Sequence, residues 1–190
     1  PPIQPESDNE DSGNDDSEFK MPLPGGERWR VNQSYAGSYS HDDTAAIDFG
    51  DWIYNNGNQE EKDNVPILAV ADGQVISAGY HYGGGNYVVI DHDEPYEDDE
   101  GLQTYYGHLR NINFDEGEQV SQGDQIGVMG NTGKWSTGTH LHFQVEEDGN
   151  ADASQKSLKN LKMDGTKLQN YDFSGWSFGS NNGYLSTNEG

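Results

Sequence analysis

Two histidines separated by one residue, in Gly138-Thr139-His140-Leu141-His142-Phe143-Gln144-Val145, form the most chemically suggestive pair in this chain. In an extended strand successive side chains alternate between faces, so His140 and His142 share one face while Leu141, Phe143 and Val145 share the other. Two imidazoles above an apolar support suit a divalent cation such as zinc. That ion takes imidazole nitrogen at roughly 2.0 to 2.1 Å and, in catalytic sites, uses three protein ligands and a water. Paired histidines also stand on ordinary exposed strands, so the pair means little without company.

The company lies upstream. His41 and Asp48 fall within Ser40-His41-Asp42-Asp43-Thr44-Ala45-Ala46-Ile47-Asp48-Phe49-Gly50, and a short strand over Ala45 to Phe49 turns Asp48 away from Ile47 and Phe49. His108 sits in Tyr105-Tyr106-Gly107-His108-Leu109, and Ala78-Gly79-Tyr80-His81-Tyr82-Gly83-Gly84-Gly85-Asn86 precedes it. Taken in this order, and with Ser136-Thr137-Gly138-Thr139-His140-Leu141-His142-Phe143, these elements resemble the lysostaphin-type, or LytM-like, zinc metalloendopeptidases over roughly residues 29 to 150.

The resemblance implies a set of roles. His41, Asp48 and His142 would ligate one Zn2+, a two-histidine, one-carboxylate set with an open position for water, unlike a closed four-ligand structural site. His108 and His140 would be the non-ligand histidines that take and return a proton, and Tyr82 the tyrosine that steadies the developing oxyanion. The expected activity is hydrolysis of Gly-containing peptide bonds, in peptidoglycan cross-bridges or elastin-like proteins, by a bacterial protein that is secreted or periplasmic. The alternative is a catalytically silent module of the same family that binds cell-wall peptide or a protein partner. Such modules typically lack one or more ligands, and here every matching position is filled. Six residues separate His41 from Asp48, longer than the family's commonest spacing and nearest the staphylolysin and β-lytic subgroup. That subgroup usually carries disulfides, and this chain has no cysteine. His81 and His92 match nothing in the pattern and are expected on the surface.

Composition bounds the remaining possibilities. A formal charge of -24 in 190 residues, with 34 Asp and Glu against 10 Lys and Arg, argues against nucleic acid and anionic membrane surfaces as partners. It also fits a protein kept dissolved at high ionic strength, where salt screens self-repulsion. No apolar run approaches the ~18 residues of a membrane helix, so no membrane insertion is expected, and the chain reads as a mature or trimmed monomer. Residues 1–20 hold seven acids against one Lys and almost no large apolar residue, which predicts a flexible acidic leader. Residues 21–190 then form a single domain, with a core over 29–150 and an extension over 151–190.

Short apolar runs punctuated by Gly turns, without helical periodicity, predict an all-β fold: an antiparallel sandwich or barrel-like sheet with long loops and little helix. Val65 to Val70 and Gln74 to Ala78 around Ala71-Asp72-Gly73 predict a hairpin, and Gly117 to Val128 a second hairpin-like unit. Residues 50–64 look like a polar loop. One short helix is expected around Ser157 to Leu161, and the aromatics of residues 171–184 are expected to pack as extended chain, with a sugar-binding use of that stripe as the lesser reading.

Overall fold

The computed structural model describes residues 19–37, 40–56, 58–92, 101–147, 149–171 and 183–188. Its strands are β1 (Arg28–Gln33), β2 (Ala46–Asn55), β3 (Asn58–Glu61), β4 (Pro66–Leu68), β5 (Gly73–His81), β6 (Gly85–Asp91) and β7 (Leu102–Leu109). They continue as β8 (Asn111–Ile112), β9 (Gln119–Val120), β10 (Gln125–Val128), β11 (His140–Glu147), β12 (Lys162–Met163), β13 (Thr166–Lys167) and β14 (Tyr184–Leu185). A single α-helix, α1 (Lys156–Asn160), lies where a short helix is expected. The large sheet runs β14-β1-β2-β11-β7-β6-β5-β9, with β3 paired to the far end of β2. A small sheet, β4-β10-β8, and the β12-β13 pair complete an antiparallel, all-β architecture, as the sequence predicts.

Alternation does the work that the pattern promised. Along β11, Leu141, Phe143 and Val145 are buried while His140, His142, Gln144 and Glu146 are half-buried on the opposite face. Phe143 packs against Phe49 of β2 and Tyr106 of β7, at ring-centroid separations of 6.5 and 5.5 Å. The histidine face of β11 is therefore braced from below by aromatic rings of both neighbouring strands.

Three local expectations give way to longer-range pairing. Residues 50–64 are not a loop, because β2 runs on through Asn55 and pairs with β3; buried Ile53 and Tyr54 anchor it, and an edge strand as polar as Asn58–Glu61 needs only backbone pairing. The hairpin predicted around Ala71-Asp72-Gly73 does not form either. There the chain leaves the small sheet at β4 and enters the large one at β5, whose partners are β6 and β9. Likewise, Gly117 to Val128 is divided between β9 in the large sheet and β10 in the small one.

These two sheet-switching corners brace each other. The Ala69 amide donates to the Asp124 carbonyl, Gly123 to Ala69, and Gln122 to the Asp72 carboxylate. At Gly73 a Cβ would run into the Asp91 carbonyl, which is why the Asp-Gly pair is needed there although no hairpin results.

The ends of the chain join the same core. The predicted leader lies outside the described residues except Phe19 and Lys20, and Phe19 is core, clustered with Met21, Leu23, Leu158, Met163, Leu168 and Tyr171. Of the aromatics expected to pack in the tail, Tyr171 is buried and stacks on Tyr184 at 4.4 Å, whereas Phe173, Trp176 and Phe178 lie outside the described residues. Among the described residues no helix is long and apolar enough to cross a membrane.

If residue 19 belongs to the folded unit, Phe19→Ala should destabilise it by about 3 to 5 kcal/mol. A guanidinium titration reads this as a lower midpoint at nearly constant slope. An unchanged midpoint would assign Phe19 to the leader.

Candidate active site

The register of β2 against β11 sets His142 directly opposite Asp48, and that of β11 against β7 sets His142 opposite Gly107. His41 arrives from the preceding loop, held by its amide to the Gly37 carbonyl and by its own carbonyl accepting from Thr44. Asp48 Oδ1 lies 3.0 Å from His142 Nδ1 and 3.2 Å from His41 Nε2. The three candidate ligand atoms fall within 4.8 Å of one another, so the structure brings together His41, Asp48 and His142.

Each imidazole is turned by a contact on its other nitrogen. His41 Nδ1–H donates to the Ser34 carbonyl at 3.3 Å, directing Nε2 inward. His142 Nε2 faces Gln144 Oε1 at 3.4 Å, leaving Nδ1 for the site. His41 Nε2 is fully buried and, among the described residues, makes no hydrogen bond despite its proximity to Asp48. A buried lone pair without a donor, beside a buried carboxylate and a second inward imidazole nitrogen, fits a cation held among the three. Burial alone would raise the Asp48 carboxyl, but the hydrogen bond with His142 and the electrostatic influence of both imidazoles hold it well below the usual carboxylate range. It is therefore ionised and ready to ligate at any ordinary pH.

His108 and His140 stand beside this set, their rings 4.6 Å apart. His108 Nδ1–H donates to the Thr132 carbonyl at 2.8 Å, and His140 Nδ1–H to the Gly138 carbonyl at 2.8 Å. Both Nε2 atoms are thus unprotonated acceptors in the neutral rings; that of His140 lies 3.9 Å from Asp48 Oδ2. Burial, then the neighbouring His140, pushes the His108 imidazole down to about 4, so it is neutral at pH 7. His108 sits at φ 61°, a left-handed conformation that costs a non-glycine residue about 1 kcal/mol or more, secured by its amide to the Gly84 carbonyl.

Asp48, His108, His140 and His142 line one cavity of about 1120 Å³, whose walls also include Tyr80, His81, Tyr87, Tyr105 and Trp135, while His41 lies buried behind it. The triple glycine explains one wall. A Cβ on Gly84 would meet the Tyr105 hydroxyl and one on Gly83 the Trp135 indole, so bare backbone lets both rings close over the loop. Tyr82 stands apart, 70% exposed and outside that wall, and among the described residues only its carbonyl is engaged, by the Lys134 amide.

His81 is exposed as expected, yet its Nδ1 accepts from the Gly83 and Gly84 amides and it lines the cavity rim. The surface placement expected of His92 is wrong. It is 3% exposed, donating from Nδ1 to the Asp72 carbonyl and meeting Thr104 Oγ1 through Nε2, which pins the first sheet-switching corner. Its position continues the inward alternation of Val88 and Ile90, a signal present in the sequence.

Two histidines and a carboxylate around a shared centre, with two further imidazoles alongside, form a set whose donor chemistry suits a divalent metal ion. The chain belongs to peptidase family M23, whose model matches residues 57–153. That match includes His108, His140 and His142 but begins after His41 and Asp48, so the first two candidate ligands rest on geometry.

Among relatives, the glycyl-glycine endopeptidase ALE-1 of Staphylococcus capitis is 33% identical over 143 residues, 72% of this chain and 36% of that protein. The peptidoglycan DD-endopeptidase ShyA of Vibrio cholerae is 32% identical over 118 residues, 62% of this chain and 25% of its own length. This chain thus spans between a quarter and about a third of these two curated relatives. A solved zinc-containing peptidase from Vibrio cholerae superposes with a TM-score of 0.53 at 27% identity, covering 73% of this chain and 40% of that one.

Burial sets a pH signature for the metal-free protein. His92 and His108 each titrate near 4 when folded, against about 6.5 unfolded, so as pH falls from about 6.5 to 4 the unfolded chain takes up protons that the folded one refuses. Stability is full above that window and falls through it. Thermal melts should show the midpoint dropping across it, and His92→Gln should make the slope shallower; an unchanged slope would count against a neutral buried His92.

Proposed function

We propose that this chain is a zinc-dependent endopeptidase that cuts Gly-containing bonds in peptidoglycan cross-bridges, outside the bacterial cytoplasm. The observation that carries the reading is the inward-facing set of His41 Nε2, Asp48 and His142 Nδ1, with the acceptor Nε2 atoms of His108 and His140 beside it. Zinc, when bound, supplies a positive charge that polarises a peptide carbonyl and acidifies a water. His41, Asp48 and His142 would hold the ion. His108 or His140 accepts the water's proton at Nε2, and the pair returns it to the departing amine.

Support for a Gly-rich substrate comes from the walls. Tyr105, Trp135 and the bare backbone at Gly84 line the groove, and a glycine in the substrate lets its backbone come close to such a wall. The glycyl-glycine specificity in the name of ALE-1 points the same way.

Elemental analysis and pentaglycine hydrolysis test the proposal together. The parent should hold one zinc and cleave. His142→Ala should lose metal and activity, whereas His140→Ala should keep the metal and lose about 10² to 10⁴ in rate. Protein without zinc, or zinc-loaded protein inert toward every Gly-rich peptide and toward peptidoglycan, would favour the silent binding module.

A further inference from the structure

The cavity wall holds a charge that the proposed chemistry does not use. No Lys or Arg lines the groove among the described residues, and apart from Asp48 its sole carboxylate is Glu146. Glu146 shares the face of β11 with His140, His142 and Gln144, and is half-buried. Gln144 Nε2 donates to Glu146 Oε1 at 2.5 Å, which fixes the carboxylate; Oε2 makes no hydrogen bond among the described residues.

Two aromatic rings line the same cavity as Glu146. Tyr105 lies opposite Gln144 in the β7-β11 register and stacks on Tyr87 with centroids 5.5 Å apart and planes 11° from parallel. Tyr105 also meets the His142 ring edge-on at 5.9 Å. A carboxylate held in the same cavity wall as aromatic rings is an environment that an ammonium group prefers.

We infer that Glu146, with the Tyr87–Tyr105 pair, forms a subsite for a positively charged amine on the substrate, so that the groove selects Gly-rich peptides bearing a lysine-type ammonium near the scissile bond. The inference rests on the peptidase reading for its substrate but not for the binding it predicts. Spacing sets the position. Four residues of strand separate His142 from Glu146, roughly 13 Å. Two extended substrate residues cover roughly 7 Å of that, and a lysine stem supplies most of the rest. The favoured lysine therefore sits about two residues from the bond that is cut. The chain's net charge of -24 adds a long-range pull on such a cation.

The test uses the zinc-loaded chain and paired pentaglycine-cored peptides that differ only by lysine or norleucine two residues from the scissile bond, on either side. For one side, the parent should favour the lysine peptide about tenfold in kcat/KM, less so in 1 M salt. Glu146→Gln should bring the ratio to within about twofold of one, and Glu146→Lys should invert it. Because the readout is a ratio, partial misfolding of a variant does not affect it. Equal rates on both peptides in the parent, or a loss in Glu146→Gln shared equally by both, would overturn the inference.

Fluorescence anisotropy of the same labelled peptides separates this inference from the peptidase proposal. If the parent hydrolyses neither peptide but binds the lysine form more tightly, and Glu146→Gln abolishes the difference, the peptidase reading fails and the subsite stands. Equal binding of both peptides, with neither hydrolysed, removes both.

Discussion

Everything in the candidate site depends on the register between β2 and β11, which places His142 across from Asp48. Side chains alternate with a period of two, so a slip of one residue would turn Asp48 and His142 into the core and expose Phe49 and Phe143. The site and the core are thus two faces of one constraint. Leu141, Phe143, Ile47 and Phe49 forbid the slip because all four are buried, and the cost of exposing them guards the metal geometry on the other side.

A buried carboxylate is expensive to desolvate, and Asp48 is only 9% exposed. Its two imidazole neighbours offset that, which is why the group stays ionised. The compensation is incomplete at His41, whose Nε2 lies close to the carboxylate without bonding to it. His108 adds a second unfavourable feature, a left-handed backbone. Both belong to the candidate site, and both are tolerated because rigid surroundings leave no relaxed alternative: the β2-β11 ladder on one side, and the glycine loop packed against Thr132 on the other.

What the sequence made legible was whatever a single strand determines. The face shared by His140 and His142, the apolar flanks of Asp48 and the short helix near Ser157 all follow from local pattern, and the structure contains them. Partner choice was not legible. Asp72-Gly73 correctly marks a sharp bend, but a turn signal says nothing about which sheet receives the next strand, and here it is a different one. The polar run Asn58–Glu61 carries no strand signature because an edge strand draws on backbone bonds rather than on side chains. Tyr82 and Tyr105 show the same limit from another side. Both neighbour the expected site in sequence, but only the β7-β11 pairing reveals that Tyr105 reaches the cavity while Tyr82 points to solvent.

The charge of the chain bears on how such a groove meets its substrate. An acidic protein approaching an anionic polymer is repelled at distances up to about a Debye length, roughly 8 Å at physiological ionic strength and less in brine. Recognition must then come from contacts inside that range, and the groove supplies them as aromatic faces, bare glycine backbone and uncharged polar groups rather than lysines. The same field that opposes the polymer favours cations, and it raises their local concentration around a site built from one carboxylate and two imidazoles. On the proposed reading, acidity that would weaken long-range capture of an anionic wall would strengthen retention of a cation, and the two effects diverge as salt rises. The long-range repulsion is screened first, whereas a buried ligand set such as His41, Asp48 and His142 is screened much less.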